Sequence, residues 1–90
     1  MLTTDEKLQL LIEEAAEIIH AASKCLRFGF DVDHGTGYGN NRKKLSQELG
    51  DFRGIVDELD VDWDAYQGAR MSKLPRVLEN RKNYPRTDCD

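Results

Sequence analysis

From Leu8 to Leu26 an apolar residue returns every three or four positions, through Leu8, Leu11, Ile12, Ala15, Ile18, Ile19, Ala22 and Leu26. At about 100° of rotation per residue this is one stripe of a helix, sustained for about six turns. A strand, with its period of two, cannot present it. Thr3 followed by Glu6 makes a capping box, so the first helix is expected from Thr4 to Arg27. Beside that stripe runs a second one, Leu10, Glu14, Glu17 and Ala21, whose apolar ends imply that this side too is covered, by another helix or by a partner subunit.

A second helix is expected to start with Asn40 or Asn41 as its cap and to reach Leu59 or Asp60. Leu45, Leu49, Phe52, Ile55, Val56 and Leu59 share one face. Glu48 projects from inside this apolar arc, between Ile55 and Leu59, and Asp51 stands at its edge. Gly50 and Gly54 lie opposite, either to admit another backbone or to leave a smooth solvent face. A carboxylate aimed into a core is costly unless something pairs with it. Glu14 and Glu17 on one helix, and Glu48 and Asp51 on the next, repeat one three-residue spacing that sets both members of each pair on one side.

Four acids from two antiparallel helices can surround one hard cation. All-oxygen ligands select Mg²⁺ or Mn²⁺ over zinc. Two other readings stand beside this one. The acids can be ordinary helix-surface charges, with Lys44 pairing Glu48 at i, i+4. Glu17-x-x-His20 has the spacing of a di-iron ligand pair, but the second helix carries no matching motif, which leaves His20 as a surface residue near Glu13, Glu17 and Lys24.

Between the helices, from Gly29 to Asn41, four glycines break the period. A phosphate-binding P-loop is excluded, because Gly39 is followed by Asn40 and Asn41 where Lys and Ser or Thr are required. What remains is a flexible connection or a flap that carries Phe30, His34 or Tyr38 to a ligand. Asp62 is the expected cap of a third helix bearing Trp63, Tyr66, Ala69, Arg70 and Leu74. Pro75 lacks an amide hydrogen, so that helix is expected to kink or to stop and restart. A short last segment to about Lys82 then carries Arg76, Asn80 and Tyr84 at four-residue steps.

The fold class expected is therefore all-α, with three main helices plus a short C-terminal helical segment. Residues 1–82 form the domain and 83–90 a tail. Ninety residues bury only a thin core, and with Cys25 and Cys89 far apart there is no disulfide framework to reinforce it. Such a protomer is expected to belong to an oligomeric helical bundle with a four-helix core, as a homodimer or homotetramer. A net charge of −4 argues against a nucleic-acid partner. Apolar runs of only a few residues and a start without basic character point away from membranes and secretion, towards the cytoplasm.

Glu14-x-x-Glu17, then after a glycine-containing loop Glu48-Leu49-Gly50-Asp51, resembles the signature of the all-α nucleoside triphosphate pyrophosphatases, the MazG-like superfamily that includes dCTP pyrophosphatases. The likeness covers most of the chain. Arg76-x-x-x-Asn80-x-x-Asn83-Tyr84-Pro85 is similar to a downstream family pattern, with Arg76 in place of a lysine and Asn83 in place of a basic residue. The resemblance implies a hydrolase that cuts a (d)NTP between its α- and β-phosphates, releasing a monophosphate and pyrophosphate. It implies Mg²⁺, or Mn²⁺, on Glu14, Glu17, Glu48 and Asp51, with Glu17 and Glu48 as catalytic residues and Glu17 as the base that takes the water's proton. Arg76, Asn80 and Tyr84 would bind phosphate or sugar, with Lys73 or Lys82 substituting at the altered basic positions. Trp63, Tyr38, Phe30 and Tyr84 are the rings available to a base, although Trp63 at the start of its helix is also placed for packing. The alternative function is a non-catalytic dimerisation or regulatory module that keeps the fold and binds a protein partner or senses nucleotides.

Overall fold

Three helices make up the secondary structure of the described residues in a computed structural model of the chain, which describes residues 1–35, 37 and 39–83. They are α1 (Thr4–Phe28), α2 (Asn41–Asp57) and α3 (Trp63–Asn83). Tyr38, Tyr84 and the tail expected beyond α3 lie outside the described residues. Two units divide the chain, Met1–Asp60 and a second that begins at Val61.

In the first unit α1 starts where its capping box predicts. The Thr3 hydroxyl accepts from the Glu6 amide at 3.1 Å, and the Glu6 carboxylate accepts from the Thr3 amide at 2.9 Å. Its end is set by Gly29, whose φ of +105° breaks the helix and whose amide bonds the Cys25 carbonyl. Asn40 caps α2 by accepting from the Lys43 amide at 2.9 Å. The far end of α2 comes two residues earlier than Leu59, because the Glu58 and Leu59 amides turn back onto the Ile55 and Val56 carbonyls in a tighter turn.

α1 and α2 run antiparallel and pack together. Lys7 near the start of α1 donates to the Glu58 carbonyl past the end of α2, at 2.9 Å. At the opposite end Asn41 is 4% exposed and joins three segments: its side chain donates to the Gly29 carbonyl at 2.9 Å, its amide donates to the Val32 carbonyl, and its carbonyl receives the Cys25 thiol. The glycine-rich connection is thereby closed into a short hairpin, with an Asp33–Asn40 bridge and an Arg42 amide bonded to the Phe30 carbonyl. Within it Phe30 lies beneath the Arg42 guanidinium and His34 edge-on to Phe28. Glycine suits position 39, whose φ of +87° is a backbone conformation that residues with a Cβ rarely adopt. Asn41→Ala removes the buried donor and orphans the Gly29 carbonyl, so its stability should fall by about 1–3 kcal/mol. A urea melt followed by circular dichroism would show the lower midpoint, and an unchanged midpoint would remove Asn41 from this role.

The apolar stripes of α1 divide unequally. The side carrying Leu10, Glu14, Ile18, Ala21 and Cys25 turns to α2, with Ala21 buried and the others partly covered. More than a third of a turn away, Ile12, Ile19 and Leu26 are 69%, 67% and 90% exposed. The only buried apolar residues among the described ones are Ala21 and Val56. Two helices cannot cover both stripes of α1.

In the second unit the Asp62 carboxylate accepts from the Ala65 amide at 3.0 Å, as expected of the cap of α3. Trp63 and Tyr66 meet edge to face at 5.1 Å, which places Trp63 in a packing pair. α3 runs through Pro75 without stopping, so the segment expected as a separate C-terminal helix is its second half. The ring deprives the Met71 carbonyl of its donor, at a cost of roughly 3 kcal/mol in a closed environment. Met71 is 67% exposed, so its carbonyl can turn to water while the helix continues.

Candidate metal centre

Glu48 is the centre of the α1–α2 contact. It stands in the arc of Leu45, Phe52, Ile55, Val56 and Leu59, all at least partly covered, and is itself only 4% exposed. The antiparallel packing sets Glu14 and Glu17, on successive turns of α1, across from it. One carboxylate oxygen from each of Glu14, Glu17 and Glu48 lies within 4.8 Å of the others.

Charge within this group is only partly balanced. Lys44, one turn before Glu48 on α2, reaches one oxygen of Glu48 at 2.9 Å. The other oxygen, Oε2, is buried without a hydrogen-bond partner, and so is Oε2 of Glu14. The Lys44 ammonium, and then the Glu17 carboxyl that hydrogen-bonds it, hold the Glu48 carboxyl below the usual carboxylate range. Glu17 is shifted the opposite way. Its hydrogen bond to Glu48, followed by the nearby charges of Glu14 and Glu48, raises its pKa. Glu17 is exposed at the rim, whereas Glu48 is inside.

A cleft of about 260 Å³ opens on this group and is lined by Glu17, His20, Ala21, Lys24, Lys44 and Glu48. Its acids face cations on both helices. Three convergent carboxylates with two orphaned oxygens make a donor set that suits Mg²⁺ or Mn²⁺ in charge and hardness. Among the described residues this is the one such group, and its three members are all carboxylates, unlike the ligand set of a di-iron or zinc site.

The fourth acid of the sequence reading is not part of it. Asp51 is exposed on α2, because three residues beyond Glu48 it sits about 60° around the helix, at the edge of the contact. Lys73, Arg76 and Asn80 are exposed on one side of α3 in the second unit, and the Arg76 guanidinium bonds the Ser72 carbonyl at 3.3 Å. Lys24 went unassigned in the sequence reading. Its signal was present, since it follows Glu17 by seven residues and so returns to the same side of α1. Lys44 was read only as the surface alternative to a buried Glu48, whereas both features occur together.

Comparison with family models, characterised proteins and solved structures yields no match. The class defined by the fold and the site is therefore the plain one, a helical protein with an acidic group between two antiparallel helices.

Proposed function

We propose that the chain is a Mg²⁺- or Mn²⁺-dependent nucleoside triphosphate pyrophosphohydrolase of the all-α type, converting a (d)NTP to a (d)NMP and pyrophosphate. The observation that carries this reading is the convergence of Glu14, Glu17 and Glu48 with two buried carboxylate oxygens left without partners. The choice of reaction is supported by the resemblance of the Glu14-x-x-Glu17 and Glu48-x-x-Asp51 pairs to that superfamily.

Glu14 and Glu48 would hold a divalent cation from inside the helix contact, and such an ion would supply charge neutralisation for the triphosphate and lower the pKa of the attacking water. Glu17, on the rim, with its pKa raised, receives the water's proton as the new oxygen–phosphorus bond forms at the α-phosphate and the bond to the bridging oxygen breaks towards pyrophosphate. Asp51 stands outside this group, at the exposed edge of the contact. The resemblance to that superfamily, and not a placement beside the acids, assigns Arg76, Asn80, Lys73 and Tyr84 to the phosphates or sugar.

The protomer works in a homodimer or homotetramer with a four-helix core. Support comes from Ile12, Ile19 and Leu26, a stripe too apolar to remain in water in a protein whose own core is so small. An adjoining apolar hollow of about 370 Å³ lined by Ala22, Cys25, Leu26, Phe30 and Leu45 extends that surface. The same stripe also supports the second reading, a non-catalytic helical module that binds a protein partner. A panel of standard and modified (d)NTPs with Mg²⁺ or Mn²⁺, scored for pyrophosphate, separates the two. Release from at least one nucleotide, abolished by EDTA, is expected of the enzyme. No release from any of them would leave the module.

A further inference from the structure

The acidic group does not wait for a metal bare. Lys44 Nζ lies 2.9 Å from Glu48 Oε1, with the lysine side chain 47% exposed and the glutamate side chain 6% exposed. One ammonium thus faces three carboxylates, and it reaches the only one that is buried. Where Lys44 enters, the cleft opens to solvent beside Lys24 and His20. The ammonium can withdraw into that cleft, but Glu48 cannot leave the helix contact.

We propose that Lys44 is a built-in counter-ion that occupies the cation position at Glu48 in the metal-free protein and is exchanged for the divalent ion when the site loads. The inference rests on the metal reading of the Glu14, Glu17 and Glu48 group. Three facts carry it. A hard divalent cation binds carboxylate oxygens at about 2.0–2.1 Å and strongly repels an ammonium held on the same oxygen. Glu48 Oε2 and Glu14 Oε2 are buried with no hydrogen-bond partner, so the single ammonium leaves the group under-neutralised and a doubly charged ion is the better match. Lys44 sits one turn before Glu48 on the same helix, which brings it back to the carboxylate whenever the ion departs.

The consequence is a metal affinity set below the value the carboxylates alone would give. It also means that the metal-free fold keeps a partner for its buried charge. Loading and unloading then exchange one cation for another, without an intermediate in which Glu48 is charged, buried and alone.

The test is a calorimetric titration of the full chain with Mn²⁺ alone, repeated on Lys44→Met, Lys44→Gln, Lys44→Arg and Lys24→Met. Lys44→Met should bind Mn²⁺ about tenfold more tightly than the wild type and melt at a lower temperature in EDTA, the scale of one half-exposed ion pair to a buried carboxylate. Lys44→Gln keeps a hydrogen-bond donor for Glu48 and provides the same reading if the methionine variant does not fold without metal. Lys44→Arg retains the charge and should stay close to the wild type. Lys24→Met removes a charge from the same cleft without touching the reported ion pair, and its gain should be clearly smaller. Wild-type affinity in Lys44→Met and Lys44→Gln, or an equal gain in Lys24→Met, would overturn the exchange while leaving the metal site standing. Absence of Mn²⁺ binding to every form, wild type included, would overturn the metal reading and the exchange together.

Discussion

Replacing Glu48 with Gln should lower pyrophosphate release by at least about a hundredfold while the far-ultraviolet circular dichroism stays that of the wild type. The substitution keeps the shape of the side chain and removes its charge at the one position where the carboxylate is enclosed by apolar neighbours on α2 and faced by Glu14 and Glu17 on α1. Loss of the Lys44 ion pair costs little in itself, because the lysine is half exposed and water can take up its ammonium. Relief of the repulsion with Glu14 and Glu17 acts in the opposite direction. The melting temperature in EDTA is therefore expected to hold or rise, and the increase produced by Mn²⁺ in the wild type should vanish. Asp51→Asn gives the internal comparison. Exposed and at the edge, Asp51 should weaken metal binding and turnover less than Glu48 does. Equal losses from the two variants would require α1 and α2 to bring Asp51 inward when metal binds, and full activity in Glu48→Gln would end the assignment.

The second large effect concerns assembly. Ile12→Glu combined with Ile19→Glu places two carboxylates per chain on the exposed stripe of α1, on the side away from the metal group. Each isoleucine buried in an interface contributes about 1.5–3 kcal/mol, and a charge in its place adds a desolvation cost. The association constant should fall by about 10³-fold or more, so that sedimentation shows the 10.3 kDa chain where the wild type shows a multiple of it. The contact between α1 and α2 lies on the other stripe, so the helicity of the first unit should be largely kept. A wild-type protein that sediments as a single chain at all practical concentrations would exclude the four-helix core.

What the sequence made legible follows how local each signal is. The start of α1 is written in Thr3 and Glu6, the start of α2 in Asn40, and the burial of Glu48 in the apolar residues three, four and seven positions away. All these effects act within two turns of one helix. The face of α1 that α2 would choose was not legible, because Leu10 and Ala21 on one side and Ile12 and Ile19 on the other make two comparable stripes. Asn41 was read only as a second candidate for a cap. Its bonds to Gly29 and Val32 are tertiary and depend on how the connection folds back. At Pro75 the local rule for proline allowed either a kink or a stop, and the helix does not stop, since an exposed helix can give up one hydrogen bond to water.

The central claim is that the acids between α1 and α2 form a specific divalent-cation site, and a titration of the wild-type chain with Mn²⁺, compared with Glu48→Gln, tests it most directly. Saturable binding to the wild type and none to Glu48→Gln is the predicted result. The same weak, unsaturated uptake by both proteins would contradict it.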